Sequence, residues 1–148
     1  MRISGLLLSF LAILLVLPVE AGAADNPASP DGASVFRSVV GVWESEDLTR
    51  LNDLVEAEYV GHTSSGDRDR GGLRKRIEAF HAQYSHIRFF VRDQIVSGDR
   101  VATRLEATCV ENATGRPLRM FGMNISTIKN GKQVEEWATW EVKDLKEP

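Results

Sequence analysis

The dipeptide Asn130-Gly131 sits between two runs of alternating residues and limits the fold more than any other feature of the chain. Asn and Gly both accept the positive φ of a two-residue hairpin turn. Residues 118–128 and 133–142 are therefore predicted to run antiparallel as neighbours. The alternation extends upstream, where Val101, Thr103, Leu105, Ala107 and Cys109 share one face and Ala102, Arg104, Glu106, Thr108 and Val110 the other. Before these, residues 87–96 are rich in β-branched and aromatic side chains and end at the turn Ser97-Gly98-Asp99. With residues 111–117 as a further turn, the second half reads as an antiparallel meander.

Ahead of residue 87 the period is helical. Val35, Phe36, Val39, Val40 and Trp43 recur at helical spacing, with Ser34 a possible N-cap. A second helix is predicted from near Asp47, with Leu48, Leu51, Leu54 and Val55 on one face. Tyr59-Val60-Gly61-His62 leaves that helix, and residues 63–72 read as a polar loop. A third helix turns Leu73, Ile77, Phe80 and Tyr84 inward, and Arg74, Lys75, Arg76 and Glu78 mostly outward. Helices first and a meander afterwards predict an α+β fold, with three N-terminal helices packed on one face of a strongly curved, mainly antiparallel sheet.

The most apolar stretch lies outside this pattern. Residues 6–17 read LLLSFLAILLVL, behind Arg2 and ahead of Pro18 and Ala21-Gly22-Ala23. A basic start, an apolar middle and small residues at the cut make residues 1–23 a signal peptide. Its helix would cover about 18 Å, short of the roughly 30 Å core of a bilayer. Export to the periplasm or medium, with no stable membrane anchor after cleavage, is expected. Residues 24–32 form a flexible leader and 33–148 one domain. The formal net charge is −3, and removing Arg2 with Glu20 leaves it unchanged. That balance argues against a nucleic-acid partner. Cys109 is the only cysteine, so no internal disulfide forms. A reactive thiol, an intermolecular bridge and a buried inert thiol are all open to it, and its strand context favours the last.

The run Thr114-Gly115-Arg116-Pro117, then Phe121-Gly122-Met123-Asn124-Ile125, Asn130-Gly131-Lys132 and Val134-Glu135-Glu136-Trp137, resembles the SnoaL-like family. That family holds polyketide cyclases and ester cyclases within the nuclear transport factor 2-like superfamily. Glu56-Ala57-Glu58-Tyr59-Val60-Gly61-His62, Gly72-Leu73 and Ile77-Glu78-Ala79-Phe80 extend the likeness, as does Ile95-Val96 with the segment from Gly98 to Arg104. The resemblance implies a cone-shaped α+β barrel around an apolar cavity that takes a small hydrophobic molecule. It also implies chemistry without metal or cofactor, performed in the polyketide cyclases by a carboxylic acid directly after the strand tryptophan. Ala138 stands at that position here.

Other groups are candidates for the missing acid. Glu136 shares strand parity with Ala138, whereas Glu135 and Glu141 fall on the opposite face unless a bulge resets the register. Relatives of the ester-cyclase type carry an acid where Glu141 stands. The glutamates also suit a solvated edge or an interface. Asn124 is placed to donate to a carbonyl or enolate oxygen, or simply to satisfy buried backbone. His62, expected at the cavity mouth, is the candidate general base, though a His at such a junction also binds backbone carbonyls. Arg104 suits an anionic substrate or a structural ion pair with Glu106, Glu136 or another strand acid. Trp137, Trp140 and Tyr59 are further substrate-binding candidates, the tryptophans equally suited to the core. His81 and His86 read as structural or exposed, and no histidine spacing suggests a metal. Two functions follow: a cofactor-free cyclase, isomerase or hydratase acting on a hydrophobic carbonyl compound, or a non-catalytic hydrophobic-ligand-binding module. Either is expected as a homodimer through the outer face of the sheet.

Overall fold

Residues 31–144 are described by the computed structural model. The expected signal peptide, 1–23, and the expected leader as far as residue 30 lie outside the described residues. Helix α1 (Gly32–Ser45) is capped by Asp31, whose carboxylate accepts from the Ala33 amide at 3.3 Å. Ser34, the expected cap, instead donates its hydroxyl to the Asp31 carbonyl. The helical period holds, because Val35, Phe36, Val39 and Val42 are buried.

The second helix departs from expectation. A 3₁₀ turn (Leu48–Arg50) leads into a single α-turn, α2 (Leu51–Leu54), and Val55 opens strand β1 (Val55–Thr63). One helical turn has almost no stability of its own. The β-branched and aromatic residues after Leu54 gain more by hydrogen-bonding to a neighbouring strand. The predicted loop 63–72 folds back as β2 (Gly66–Arg68), pairing His62 with Asp67. Helix α3 (Arg70–Gln83) follows, capped by the Asp69 carboxylate on the Gly72 amide at 2.7 Å. Tyr84, expected on its inward face, already begins β3 (Tyr84–Ser97).

The meander is as predicted, with β3, β4 (Arg100–Glu111), β5 (Pro117–Lys129) and β6 (Lys132–Asp144) all antiparallel neighbours. Asn130 and Gly131 take φ of 51° and 75° in the last hairpin, the backbone that dipeptide accepts at least cost. The sheet order is β2-β1-β6-β5-β4-β3, and β1 runs parallel to β6.

One face of the sheet meets the helices. Val35 and Phe36 pack on Val101, Leu105 and Ile128, while Phe80 packs with Ile87, Ala107, Cys109, Leu118 and Met120. Tyr59 joins Val39, Val42, Leu51, Val55, Leu73 and Ile77. Each large apolar side chain buried there contributes about 1.5–3 kcal/mol. Cys109 is free and buried, and burial pushes its thiol above the ordinary range.

Candidate functional site

On the helix-facing side, three polar side chains from three strands converge. Glu136 of β6 lies opposite Ser126 of β5 and opposite Gly61 of β1. Its Oε2 accepts from the Tyr59 hydroxyl at 2.9 Å, and its Oε1 from Asn124 Nδ2 at 2.9 Å. Tyr59 is 1% exposed and Asn124 6%. Each carboxylate oxygen thus has one buried donor, which offsets the cost of holding a charge away from water. The Tyr59 phenol is pushed far above its ordinary range, first by burial and then by the Glu136 charge and hydrogen bond, with Arg68 opposing. It remains a donor throughout the physiological range.

Asn124 is part of a polar row across the sheet, in which Gln94, Thr103, Asn124 and Ala138 are successive cross-strand partners. Gln94 Nε2 donates to the Thr103 hydroxyl at 3.3 Å. The side-chain oxygens of Gln94 and Asn124 are buried without a partner among the described residues, as is that of Gln133. Buried acceptors of this kind are rare. Ala138 faces Asn124 on this same side, so the position that the family resemblance assigns to an acid is empty of one, and Glu136 stands two residues earlier on the same face.

Trp140 is also on the helix-facing side. It lies flat on Gly122, where a Cβ would come within 2.6 Å of three ring atoms, and it meets Phe89 edge-on at 5.9 Å. Trp140 and Val142 are exposed, so this face opens toward the end of β6.

The remaining candidates are on the opposite face. Tyr59 and Gly61 point inward, so His62 points out, where its ring stacks on Trp137 at 4.0 Å. Its Nδ1 is 2.8 Å from Asp67 Oδ1 and its Nε2 3.4 Å from Glu135 Oε1. The Thr127 hydroxyl, with smaller contributions from Trp137 and His62, holds the Glu135 carboxyl below the ordinary range. Arg104 is held by Asp93 at 2.6 Å, with Glu106 at 3.8 Å, which fits the strand ion-pair alternative. Glu141 is opposite Phe121 and near Lys143, exposed to solvent. A depression of about 700 Å³ crosses this face, lined by His62, Arg104, Met123 and Trp137 among others, and Thr103, Asn124 and Ala138 also contribute atoms to its wall.

The structure therefore unites Tyr59, Asn124 and Glu136 and separates them from His62, Arg104, Trp137 and Glu141. Gly61, Thr103 and Gln94 were not singled out from the sequence. Applying strand parity to 55–63 would have put Gly61 beside Tyr59 and His62 across the sheet. Among the described residues no group of three His, Cys, Asp or Glu side chains is gathered to hold a metal.

A comparison with curated proteins gives no match. Among solved structures, the chain is similar to wild-type IdmH from Streptomyces antibioticus, described as a candidate polyketide cyclase. The two are 25% identical with a TM-score of 0.69, over 75% of this chain and 92% of that one. AclR from Streptomyces galilaeus, a candidate hydroxylase, shares the fold at 17% identity and TM-score 0.69, over 77% and 91% of the two chains. A protein of ketosteroid isomerase-like fold from Catenulispora acidiphila shares it at 11% identity and TM-score 0.63, over 80% and 88%. The family model for the SnoaL-like polyketide cyclases matches residues 33–146, and the chain belongs to that family.

Proposed function

We propose that this protein is an exported, cofactor-free enzyme in which Glu136 moves a proton on a hydrophobic carbonyl compound, cyclising, isomerising or hydrating it. Family and fold support a small-molecule-binding role of cyclase or isomerase type. The observation that carries the finer reading is the pair of buried donors on Glu136. A carboxylate held by hydrogen bonds at the inner side of the sheet, which we take as the wall of the family's cone, is the equipment of a general base. When Glu136 takes a proton from the carbon beside a carbonyl, the C–H electrons pass into an enolate. The neutral acid then accepts more weakly, and the Tyr59 hydroxyl and Asn124 amide are released toward the enolate oxygen. The enolate carbon attacks a second carbonyl of the same molecule, or is reprotonated elsewhere, and Glu136 returns the proton.

The test is hydrogen–deuterium exchange at the activated carbon of 2-tetralone in D₂O, followed by NMR. Wild-type protein is expected to exceed Glu136→Gln by at least about 100-fold, with His62→Ala like wild type. Equal rates for wild type and Glu136→Gln would remove the catalytic reading. The binding-module reading would then stand. We place the protein outside the cytoplasm on the strength of residues 1–23, and as a homodimer through the outer sheet face.

A further inference from the structure

Gly61 occupies a defined place in the cluster. It is the β1 residue directly opposite Glu136, and Tyr59 precedes it by two residues on the same face of the strand. A Cβ built on Gly61 would be 2.5 Å from the Tyr59 hydroxyl oxygen, 3.0 Å from Cζ and 3.1 Å from Cε1. The phenol therefore lies along β1, over the bare Cα of Gly61, and its hydroxyl ends where Glu136 Oε2 can accept from it. Gly61 is not among the glycines with positive φ. Its backbone is one that any residue adopts, so what it supplies is the missing side chain.

The ring has little room to retreat. It is packed among Val39, Val42, Leu51, Val55, Leu73 and Ile77, a dense environment that yields little to an added methyl group. A side chain at position 61 would therefore lift the hydroxyl off the strand and away from the carboxylate that faces it. We infer that Gly61 is the positioning residue of this site: by leaving a slot over its Cα, it decides that the Tyr59 hydroxyl bonds to Glu136. The functional weight of this inference rests on Glu136 being the working carboxylate, whereas the geometric claim is independent of catalysis.

The geometric claim has its own readout. The chain contains two tyrosines, Tyr59 and Tyr84, so protein labelled at tyrosine ¹³Cζ gives two signals, and Tyr84→Phe assigns them. In equal parts of H₂O and D₂O, a buried, slowly exchanging hydroxyl splits its ¹³Cζ signal. The Tyr59 signal is expected to be split in wild type and to collapse to one line in Gly61→Ala. In the exchange assay, Gly61→Ala is expected to lose about tenfold, as Tyr59→Phe does, with the double variant no slower than either. A split signal retained in Gly61→Ala, or losses that multiply in the double variant, would overturn the inference. If no protein catalyses exchange, the enzymatic reading falls and the NMR result still decides the role of Gly61. Should Gly61→Ala fail to fold, the Tyr59→Phe/Gly61→Ala protein decides. It lacks the oxygen at 2.5 Å and must relieve only the contacts at 3.0–3.1 Å. Recovery of the fold supports a clash at the hydroxyl, and no recovery refutes it.

Discussion

Asn124 and Ala138 are directly opposed across β5 and β6, and the Asn124 amide reaches diagonally past the alanine to bond Glu136. An aspartate introduced at position 138 would face that same amide and bring a second carboxylate to a site that already holds one. Two neighbouring carboxylates resist double ionisation, so the folded Ala138→Asp protein retains a proton that its unfolded chain releases. Stability linked to such a raised acid is present at low pH and drains as pH rises. The melting temperature of Ala138→Asp is therefore expected to fall further below wild type at pH 8 than at pH 5. An equal gap at both pH values would mean that the two carboxylates do not meet.

Tyr59 gives a second pH signature, at the alkaline end. Burial and the Glu136 carboxylate hold its phenol protonated far above the ordinary range, whereas the unfolded chain releases that proton near pH 10. The folded state then binds the extra proton, so the stability it brings is complete below about pH 10 and drains above it. Tyr59→Phe is expected to lose about 1.5–3 kcal/mol at pH 7, because a buried charged acceptor forfeits its donor. Between pH 9 and pH 11, however, the variant should lose less than wild type. Urea denaturation at the three pH values measures both effects, and parallel losses would disprove the alkaline one.

The meander was legible in the sequence because period-two alternation and Asn130-Gly131 are local signals, and each strand pairs with the next one along the chain. That parity placed Glu136 and Ala138 on one face and Glu141 on the other, as the register has them. β1 was hidden for two reasons. Leu48, Leu51 and Val55 follow one another at helical spacing, and the strand's partner, β6, is far away in sequence. Without the strand, no parity applied to 59–62, and His62 was expected on the side that Tyr59 occupies. The Tyr59–Glu136 bond spans 77 residues, a separation that no local pattern encodes.

Gly122 and Trp140 repeat, at the open end of the inner face, the arrangement of Gly61 and Tyr59. A methyl group at Gly122 would meet three atoms of the indole at 2.6 Å, so the ring has to lift from β5 and give up its edge contact with Phe89. Gly122→Ala is expected to cost about 1–3 kcal/mol and to shift tryptophan emission to the red. In a Trp140→Ala background the same substitution should cost almost nothing. An unchanged cost there would trace the loss to the backbone instead of the ring.

The outer face supplies the last prediction. Ile95 of β3 is 71% exposed and Met123 of β5 62%, and Ile125 of β5 and Trp137 of β6 are exposed on the same face. So many large apolar side chains together on one sheet face are costly to leave in water and point to an interaction surface. The face belongs to a six-stranded sheet, and a stable protein pair needs roughly 1,200–2,000 Å² buried in total. A second copy of the chain would bring the same apolar patch to meet it, as a two-fold interface requires. Wild-type protein is therefore expected to sediment as a dimer, and Met123→Lys as a monomer with its thermal unfolding little changed, because Met123 lies outside the core. A monomeric wild type at high micromolar concentration, or a Met123→Lys protein that stays dimeric, would place the contact elsewhere.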